Sequence, residues 1–270
     1  MSSQMTSILV DTPKSIDLCL ADISPIISPQ PTKLAIDLEG VDLCRHGRIS
    51  IIQIVAETSN TIWLLDVTIL GNTVFDHENV HGQSLRGVLQ NPDTIKVRLR
   101  CFSLSTFLTP RDTQIFFDVR NDADALWNAY QIDLANVYDV QLLDVASRRS
   151  RNITTRFING LARCIELYLN PPNEWKTVKE AGHALFSPKK GGSFAIFEQR
   201  PLDARILAYC AQDVALLFQL EAAIKGRMGI SGSGWEERIM HCSASRVAEA
   251  KRPYYDGPAN GKHRAIAPIF

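Results

Sequence analysis

Three short runs of apolar and β-branched residues lie close together in the first quarter of the chain, and they restrict the possible folds more than any other feature. The runs cover residues 34–39, 50–56 and 61–67. Because turn residues separate them, they predict an antiparallel meander of three strands. Two more strands are predicted at 115–119 and 137–141, each next to a helical segment.

Helical periodicity dominates the second half of the chain. Amphipathic patterns predict helices at 84–89, 123–130, 161–169 and, with the strongest apolar stripe, 202–223. Strands that come first as a meander and then alternate with helices predict an α/β fold, in which a mixed sheet of about five strands is flanked by helices.

Both ends of the chain are predicted to lie outside this unit. Residues 1–11 look loose, Thr12 and Pro13 begin a short helix, and three prolines mark a connector before residue 32. We therefore expect an N-terminal helix and linker over 1–29, a main domain over 30–225, and a C-terminal helix and tail over 226–270.

Composition narrows the class of protein. Lys plus Arg and Asp plus Glu both number 29, which argues against a protein that coats nucleic acid by neutralising phosphates. It is compatible with an acidic pocket that holds divalent cations.

No apolar run approaches the roughly 18 residues that span a bilayer, and no leader pattern is visible. The six cysteines have no zinc-like spacing and read as free thiols. We expect an intracellular protein without a membrane partner, in the nucleus or the cytoplasm.

A pair of acidic residues lies on the first predicted strand. Asp37 and Glu39 are two positions apart, so both point to the same face. Like charges on a buried strand repel, and bound divalent cations would offset that cost. The alternative is a half-solvated strand with two exposed carboxylates. Taken alone, the pair does not decide between these readings.

Two further acidic positions are candidates for the same pocket. Asp122 follows the fourth predicted strand at the start of a helix, where it could also be a helix cap. Tyr209 and Asp213 lie one turn apart on the long helix, beside its apolar stripe. A core-edge tyrosine and a solvated aspartate are the alternative for that pair. Asp118, Asp124 and Asp139 compete with Asp122 for a functional role.

Taken together, these residues resemble the three exonuclease motifs of the DEDD superfamily, tyrosine subclass. The similarity is to ribonuclease D and Werner-type exonuclease domains, covers about residues 30–225, and is greatest for eukaryotic 3′–5′ exonuclease-domain proteins. The segments that carry it are Ile36-Asp37-Leu38-Glu39, Ile51-Ile52-Gln53-Ile54, Asp118-Val119-Arg120-Asn121-Asp122, Asp139-Val140-Gln141 and Arg200-Pro201-Leu202 before Tyr209 and Asp213.

The resemblance implies a fold and a reaction. It implies an RNase H-like sheet whose first three strands are antiparallel, and a metal-dependent 3′–5′ exonuclease that hydrolyses RNA or single-stranded DNA from a free 3′ end. Two divalent cations, Mg²⁺ or Mn²⁺, are implied, both bridged by Asp37. Glu39 and Asp213 would complete the site that holds the attacking water, Asp122 would hold the second cation, and Tyr209 would orient the water or help to deprotonate it.

Three basic residues are candidates for contact with the substrate backbone. Lys189 and Lys190 precede two glycines, and Arg200 lies just before the last helix. A solvated loop is the alternative for them. No additional nucleic-acid-binding domain is obvious, so we also expect that a protein partner could deliver the substrate.

One segment departs from the family pattern. Residues 98–114 interrupt the approach to the strand before Asp122, and a long insert inside a compact domain is unusual. It is either a basic surface loop or an error in the gene model. Two rival functions remain open as well. One is a non-catalytic adaptor of an RNA-processing complex, and the other is an RNase H-like endonuclease.

Overall fold

The computed structural model describes residues 5–25, 32–91, 113–228, 234–255, 257 and 265–270. Its six strands are β1 (Thr6–Val10), β2 (Lys33–Val41), β3 (Arg48–Ala56), β4 (Thr61–Asp66), β5 (Thr113–Phe116) and β6 (Val137–Asp139). The helices are α1 (Pro13–Ile23), α2 (Val67–Leu70), α3 (Thr73–Asp76), α4 (Leu85–Gln90), α5 (Arg120–Tyr130), α6 (Val140–Ser150), α7 (Leu161–Leu169), α8 (Asn173–Phe186), α9 (Ala204–Ala215), α10 (Leu217–Lys225) and α11 (Trp235–Ala250). Two 3₁₀ turns cover Pro188–Lys190 and Phe194–Glu198.

The strands form one mixed sheet in the order β1-β4-β3-β2-β5-β6. The predicted meander is confirmed, because β2 pairs antiparallel with β3 and β3 pairs antiparallel with β4. On the other side, β5 pairs parallel with β2, and β6 pairs parallel with β5. The fold is α/β, as predicted. Helices pack against both faces of the sheet.

Three predictions need correction: the count of about five strands, the loose start at residues 1–11, and the antiparallel arrangement of the first three strands, which holds for β2–β4 but not for β1. The first strand of the chain is β1, which lies within residues 1–11 and pairs parallel with the edge of β4. It is only five residues long, and its first three residues are exposed, so its pairing comes from the edge of β4 rather than from burial of a long apolar run. The predicted boundaries at residues 29 and 225 stay predictions.

The atypical segment is only partly visible in the fold. Residues 98–112, which include Cys101, lie outside the described residues. Thr113 and Gln114 begin β5 beside β2, so the end of the predicted insert is strand. The strand stops at Phe116 rather than at 119, because Asp118 takes a left-handed backbone conformation, with φ of 64°, and the chain turns into α5.

The two faces of the sheet carry separate apolar cores. Ile36 and Leu38 of β2 belong to the core that packs beneath α1, α4 and α5. Ala35 belongs to the opposite core, which includes Ile206 and Val214 of α9. This alternation along β2 is the period of two expected of a strand, and it places Asp37 and Glu39 on the α9 side.

The helical run Ala204–Lys225 combines α9 and α10. Among the described residues it alone is long and apolar enough to cross a membrane by length and composition. Its apolar residues pack into the core beside the sheet, and a buried core helix has the same composition. Five cysteines are described, all as free thiols, which agrees with the predicted thiols at those positions.

Candidate active site

Two carboxylates project from the central strand β2 toward α9. Asp37 lies opposite Gln53 of β3, and Glu39 lies opposite Ile51. A bulge follows Glu39, where a side chain at Gly40 would meet the Arg48 carbonyl oxygen at 1.9 Å. Both carboxylates are half-buried. The half-solvated strand with exposed acids is therefore not what the chain forms.

Two residues of α9 face this pair. Tyr209 and Asp213 lie one turn apart and are 7% and 3% exposed. One carboxylate oxygen from each of Asp37, Glu39 and Asp213 lies within 4.8 Å of the others. The alternative of a solvated aspartate at 213 is thus wrong, and three of the four predicted ligands converge. We call these three residues the carboxylate cluster.

The cluster is electrostatically unfavourable without a cation. Burial raises the pKa of Asp37 to about 7, and the charge of Asp213 adds to that rise. Burial and the charges of Asp37 and Asp213 raise the pKa of Glu39 well above its ordinary value. The pKa of Asp213 is also raised by burial. Three carboxylates that resist ionisation together are typical of a site that needs positive charge.

A lysine that the sequence pattern did not single out supplies positive charge. Lys179 of α8 forms an ion pair with Asp213, and its ammonium lies 4.1 Å from the centre of the Tyr209 ring. This lysine lowers the pKa of Asp213. No motif marks Lys179. The nearby Gly182, which permits a close helix contact, was the signal that could have drawn attention to α8.

Tyr209 is fixed as a neutral phenol. Burial, followed by the charges of Asp213 and Glu39, raises its pKa far above the ordinary value. The ring of Phe186 contacts it edge-on, with centroids 5.1 Å apart. Without a cation, Tyr209 therefore presents a protonated hydroxyl beside the carboxylates.

The fourth predicted ligand lies close to the cluster but is not part of it. Asp122 is 5% exposed and occupies the first turn of α5. Its charge contributes to the raised pKa of Glu39. The cap reading is wrong, because Val119 is the N-cap residue and makes no side-chain cap bond.

The three competing aspartates are each held by an arginine. Asp118 pairs with Arg120 at 2.5 Å, Asp124 with Arg45 at 2.8 Å, and Asp139 with Arg246 at 2.5 Å. These pairs give Asp118, Asp124 and Asp139 structural partners. Asp122, in the same region, contributes to the raised pKa of Glu39.

A family comparison agrees with this geometry. A model of the 3′–5′ exonuclease family matches residues 22–228. The chain belongs to the 3′–5′ exonuclease family. It is a DEDD-type exonuclease-domain protein, as the motif resemblance implied.

The relatives of this exonuclease-family chain are larger proteins. The piRNA biogenesis protein EXD1 of Xenopus laevis is 26% identical over 198 residues, which cover 72% of this chain and 38% of that protein. EXD1 of Mus musculus is 29% identical over 112 residues, which cover 42% of this chain and 15% of that protein. The chain thus spans well under half the length of these relatives.

Solved structures share the fold at low sequence identity. RNase D of Trypanosoma brucei, in a complex with GMP, matches with a TM-score of 0.66 and 17% identity over 91% of this chain and 64% of that one. The same protein in a complex with RNA U12 gives 0.63 and 16% over 97% and 79%. Brucella melitensis NrnC with bound Mg²⁺ gives 0.57 and 18% over 94% and 100%. These matches confirm an RNase D-like fold.

The three predicted substrate contacts have different surroundings in the exonuclease-family chain. Lys189 and Lys190 are exposed in the 3₁₀ turn Pro188–Lys190, and their contact with substrate stays a prediction. The Arg200 guanidinium already binds groups of the protein itself. It lies 2.5 Å from both carboxylate oxygens of the buried Asp66 and also donates to the Phe197 carbonyl.

The donor set of the cluster fits a hard divalent cation. Carboxylate oxygens are the ligands that Mg²⁺ and Mn²⁺ prefer, and three of them lie within a span that one cation can bridge. The ion pair between Lys179 and Asp213 shows where positive charge is needed. The residues present therefore fit the metal that the family implies.

Proposed function

We propose that this chain is a metal-dependent 3′–5′ exonuclease that hydrolyses phosphodiester bonds of nucleic acid. The observation that carries the proposal is the carboxylate cluster beside Tyr209, formed by β2 and α9 of a 3′–5′ exonuclease fold. Two of the three acids come from one strand and the third from a helix, so the cluster exists only in the folded chain.

The proposed roles are those that the family resemblance implies, and the carboxylate cluster supports three of them. Asp37, Glu39 and Asp213 would hold one divalent cation, and Asp37 with Asp122 would hold a second, either Mg²⁺ or Mn²⁺. Bound cations would supply a reactive water and neutralise charge on the scissile phosphate. Tyr209, beside the cluster on α9, would orient the attacking water or help to deprotonate it. Lys179 would release Asp213 and face the substrate.

RNA is the substrate class that the relatives favour. One structural relative is an RNase D in a complex with RNA U12, and the sequence relatives are named piRNA biogenesis proteins. We therefore propose RNA with a free 3′ end as the first substrate to test, with single-stranded DNA as the comparison. A protein partner that delivers the substrate also stays a proposal.

A cleavage assay with a 5′-labelled single-stranded oligonucleotide tests the proposal. Wild-type protein with Mg²⁺ or Mn²⁺ should give a ladder of products shortened from the 3′ end, and a chelator should abolish it. Asp37→Asn and Asp213→Asn should each lower the rate by roughly 10²-fold or more, since the cations supply several kcal/mol of stabilisation. Asp11→Asn, a change at an exposed aspartate, is the matched control and should leave the rate unchanged.

The same assay separates the rival functions. An endonuclease would cleave an oligonucleotide whose 3′ end is blocked, whereas the proposed activity spares it. A non-catalytic adaptor would bind the oligonucleotide without metal-dependent cleavage. The observations that favour the adaptor are that Lys179 pairs with Asp213 and that Asp122 lies outside the carboxylate cluster. Full activity in either Asn variant would remove that residue from the mechanism.

A further inference from the structure

The turn between β5 and α5 determines where Asp122 can lie. Asp118 in this turn has φ of 64°, a left-handed conformation that is uncommon for residues other than glycine, although aspartate tolerates it better than most. The backbone N–H groups of Asp118 and Val119 both donate to the Asp139 carboxylate, at 2.9 and 3.1 Å. Asp139, at the end of β6, therefore holds the turn from which α5 and Asp122 begin.

Asp139 depends in turn on a residue of the C-terminal helix. Its side chain is fully buried, and Nη1 of Arg246 lies 2.5 Å from its Oδ2. Arg246 is itself only 8% exposed, and the same nitrogen lies 3.6 Å from Oδ1 of Asp118. Removal of one partner of a buried ion pair leaves an uncompensated charge. Arg246 thus holds the Asp139 carboxylate in place as the acceptor for the turn.

A second arginine links α11 to the same helix. Nε of Arg45 lies 2.8 Å from Oδ1 of Asp124 on α5, and its Nη2 donates to the Ala250 carbonyl at the end of α11 at 2.8 Å. The start of α5 is therefore tied to α11 at two points, one through Asp139 and one through Asp124. Helix α11 begins at Trp235, beyond the matched residues 22–228.

We infer that Arg246 is a positioning residue for Asp122, and that it acts through Asp139 and the Asp118–Val119 turn. The inference rests on the proposed function, in which Asp122 helps to hold the second cation. Cation binding would then depend partly on α11, a helix that contains none of the exonuclease motifs. Outer residues that orient metal ligands commonly change metal affinity by about 10–100-fold when they are replaced.

Titration of the full chain with Mn²⁺, by calorimetry and by electron paramagnetic resonance, tests the inference. Wild-type protein should bind two ions, and Asp122→Asn identifies the site that depends on Asp122. Arg246→Met should weaken that same site by about tenfold or more and leave the site of the carboxylate cluster within twofold. Arg238→Met is the matched control, because Arg238 is an exposed arginine of the same helix. It should bind both ions as the wild type does.

A conservative variant keeps the test decisive if Arg246→Met does not fold. Arg246→Lys retains the buried charge but not the geometry of the guanidinium, so it should weaken the Asp122-dependent site by a smaller factor. Wild-type affinity at that site in Arg246→Met, or in Arg246→Lys where Arg246→Met does not fold, would overturn the inference, as would an equal loss at both sites. Absence of Mn²⁺ binding by the wild-type chain would overturn the proposed function and this inference together. Two bound ions with no effect of Arg246 would overturn this inference alone.

Discussion

Three acids that repel one another are the central feature at the scale of residues. Burial and mutual repulsion raise the pKa values of Asp37 and Glu39, and Lys179 partly offsets the charge of Asp213. Without a cation, the folded chain gains stability when one of these carboxylates binds a proton. A divalent cation would remove the need for that proton, so metal binding and pH are linked at this site.

This linkage predicts the pH dependence of the metal-free protein. The pKa of Asp37 rises from an ordinary 3.8 to about 7 in the folded chain. Between these values the folded chain holds a proton that the unfolded chain has released, so the contribution of Asp37 to the unfolding free energy falls as pH rises. In the presence of a chelator, the thermal stability of Asp37→Asn relative to wild type should therefore increase as the pH rises from 5 to 8.

The measurement is the difference in Tm between Asp37→Asn and wild type across that range. The gain should be roughly 2–4 °C for each kcal/mol of repulsion removed. Asp11→Asn should follow the wild type at every pH. A constant difference between Asp37→Asn and wild type from pH 5 to pH 8 would show that Asp37 does not titrate there.

Sequence patterns predicted which site residues lie on the same face of one strand or one helix. Asp37 and Glu39 share a face because a strand alternates, and Tyr209 and Asp213 share a face because a helix repeats. Contacts between distant elements could not be predicted this way. Lys179 reaches Asp213 across 34 positions, and Arg200 pairs with Asp66 across 134.

At the scale of elements, the close contact between α8 and α9 positions the site. An added Cβ at Gly182 of α8 would lie 2.5 Å from Cβ of Tyr209, which is closer than carbon atoms can approach. The absence of a side chain at 182 therefore lets the two helices meet beside Tyr209. Lys179 lies three residues before this glycine on the same helix.

Gly182→Ala should separate these helices and move Tyr209. The overlap should cost about 1–3 kcal/mol in the free energy of unfolding, which outweighs the roughly 1 kcal/mol that alanine gains over glycine in a helix. The cleavage rate should fall by about tenfold or more, since small displacements of catalytic groups are costly. Denaturant unfolding and the oligonucleotide assay measure the two effects.

Gly87→Ala is the matched control for this change. Gly87 is an exposed glycine in the interior of α4, and its added Cβ would meet nothing closer than Ser84 Oγ at 3.5 Å. It should be neutral or slightly stabilising and should leave cleavage unchanged. Equal stability and activity of Gly182→Ala and wild type would mean that the contact of α8 with α9 does not position Tyr209.

Elements with a strong local pattern were predicted, and elements that depend on partners were not. The meander β2–β4 and helices such as α1, α7 and α11 follow from apolar periodicity, and Thr12 caps α1. Strand β1 needs the edge of β4, and the early end of β5 depends on the Asp118 turn held by Asp139. Neither partner is close in sequence.

At the scale of the whole molecule, the site lies where the central strand β2 meets α9. The mixed sheet, with helices on both faces, followed from the order of predicted strands and helices, and the structure confirms it. Helix α11 packs against α5 and β6, beyond the matched segment. Its buried pair Arg246–Asp139 joins residues 107 positions apart, which no local pattern indicates.

Diffraction from crystals soaked in Mn²⁺ tests the central claim most directly, because the anomalous signal locates the cation independently of any substrate. We predict an anomalous peak within about 2.1 Å of oxygens from Asp37, Glu39 and Asp213, with the Lys179 ammonium withdrawn from Asp213. Soaked crystals with no peak at these three carboxylates, and with Lys179 still paired to Asp213, would contradict the account.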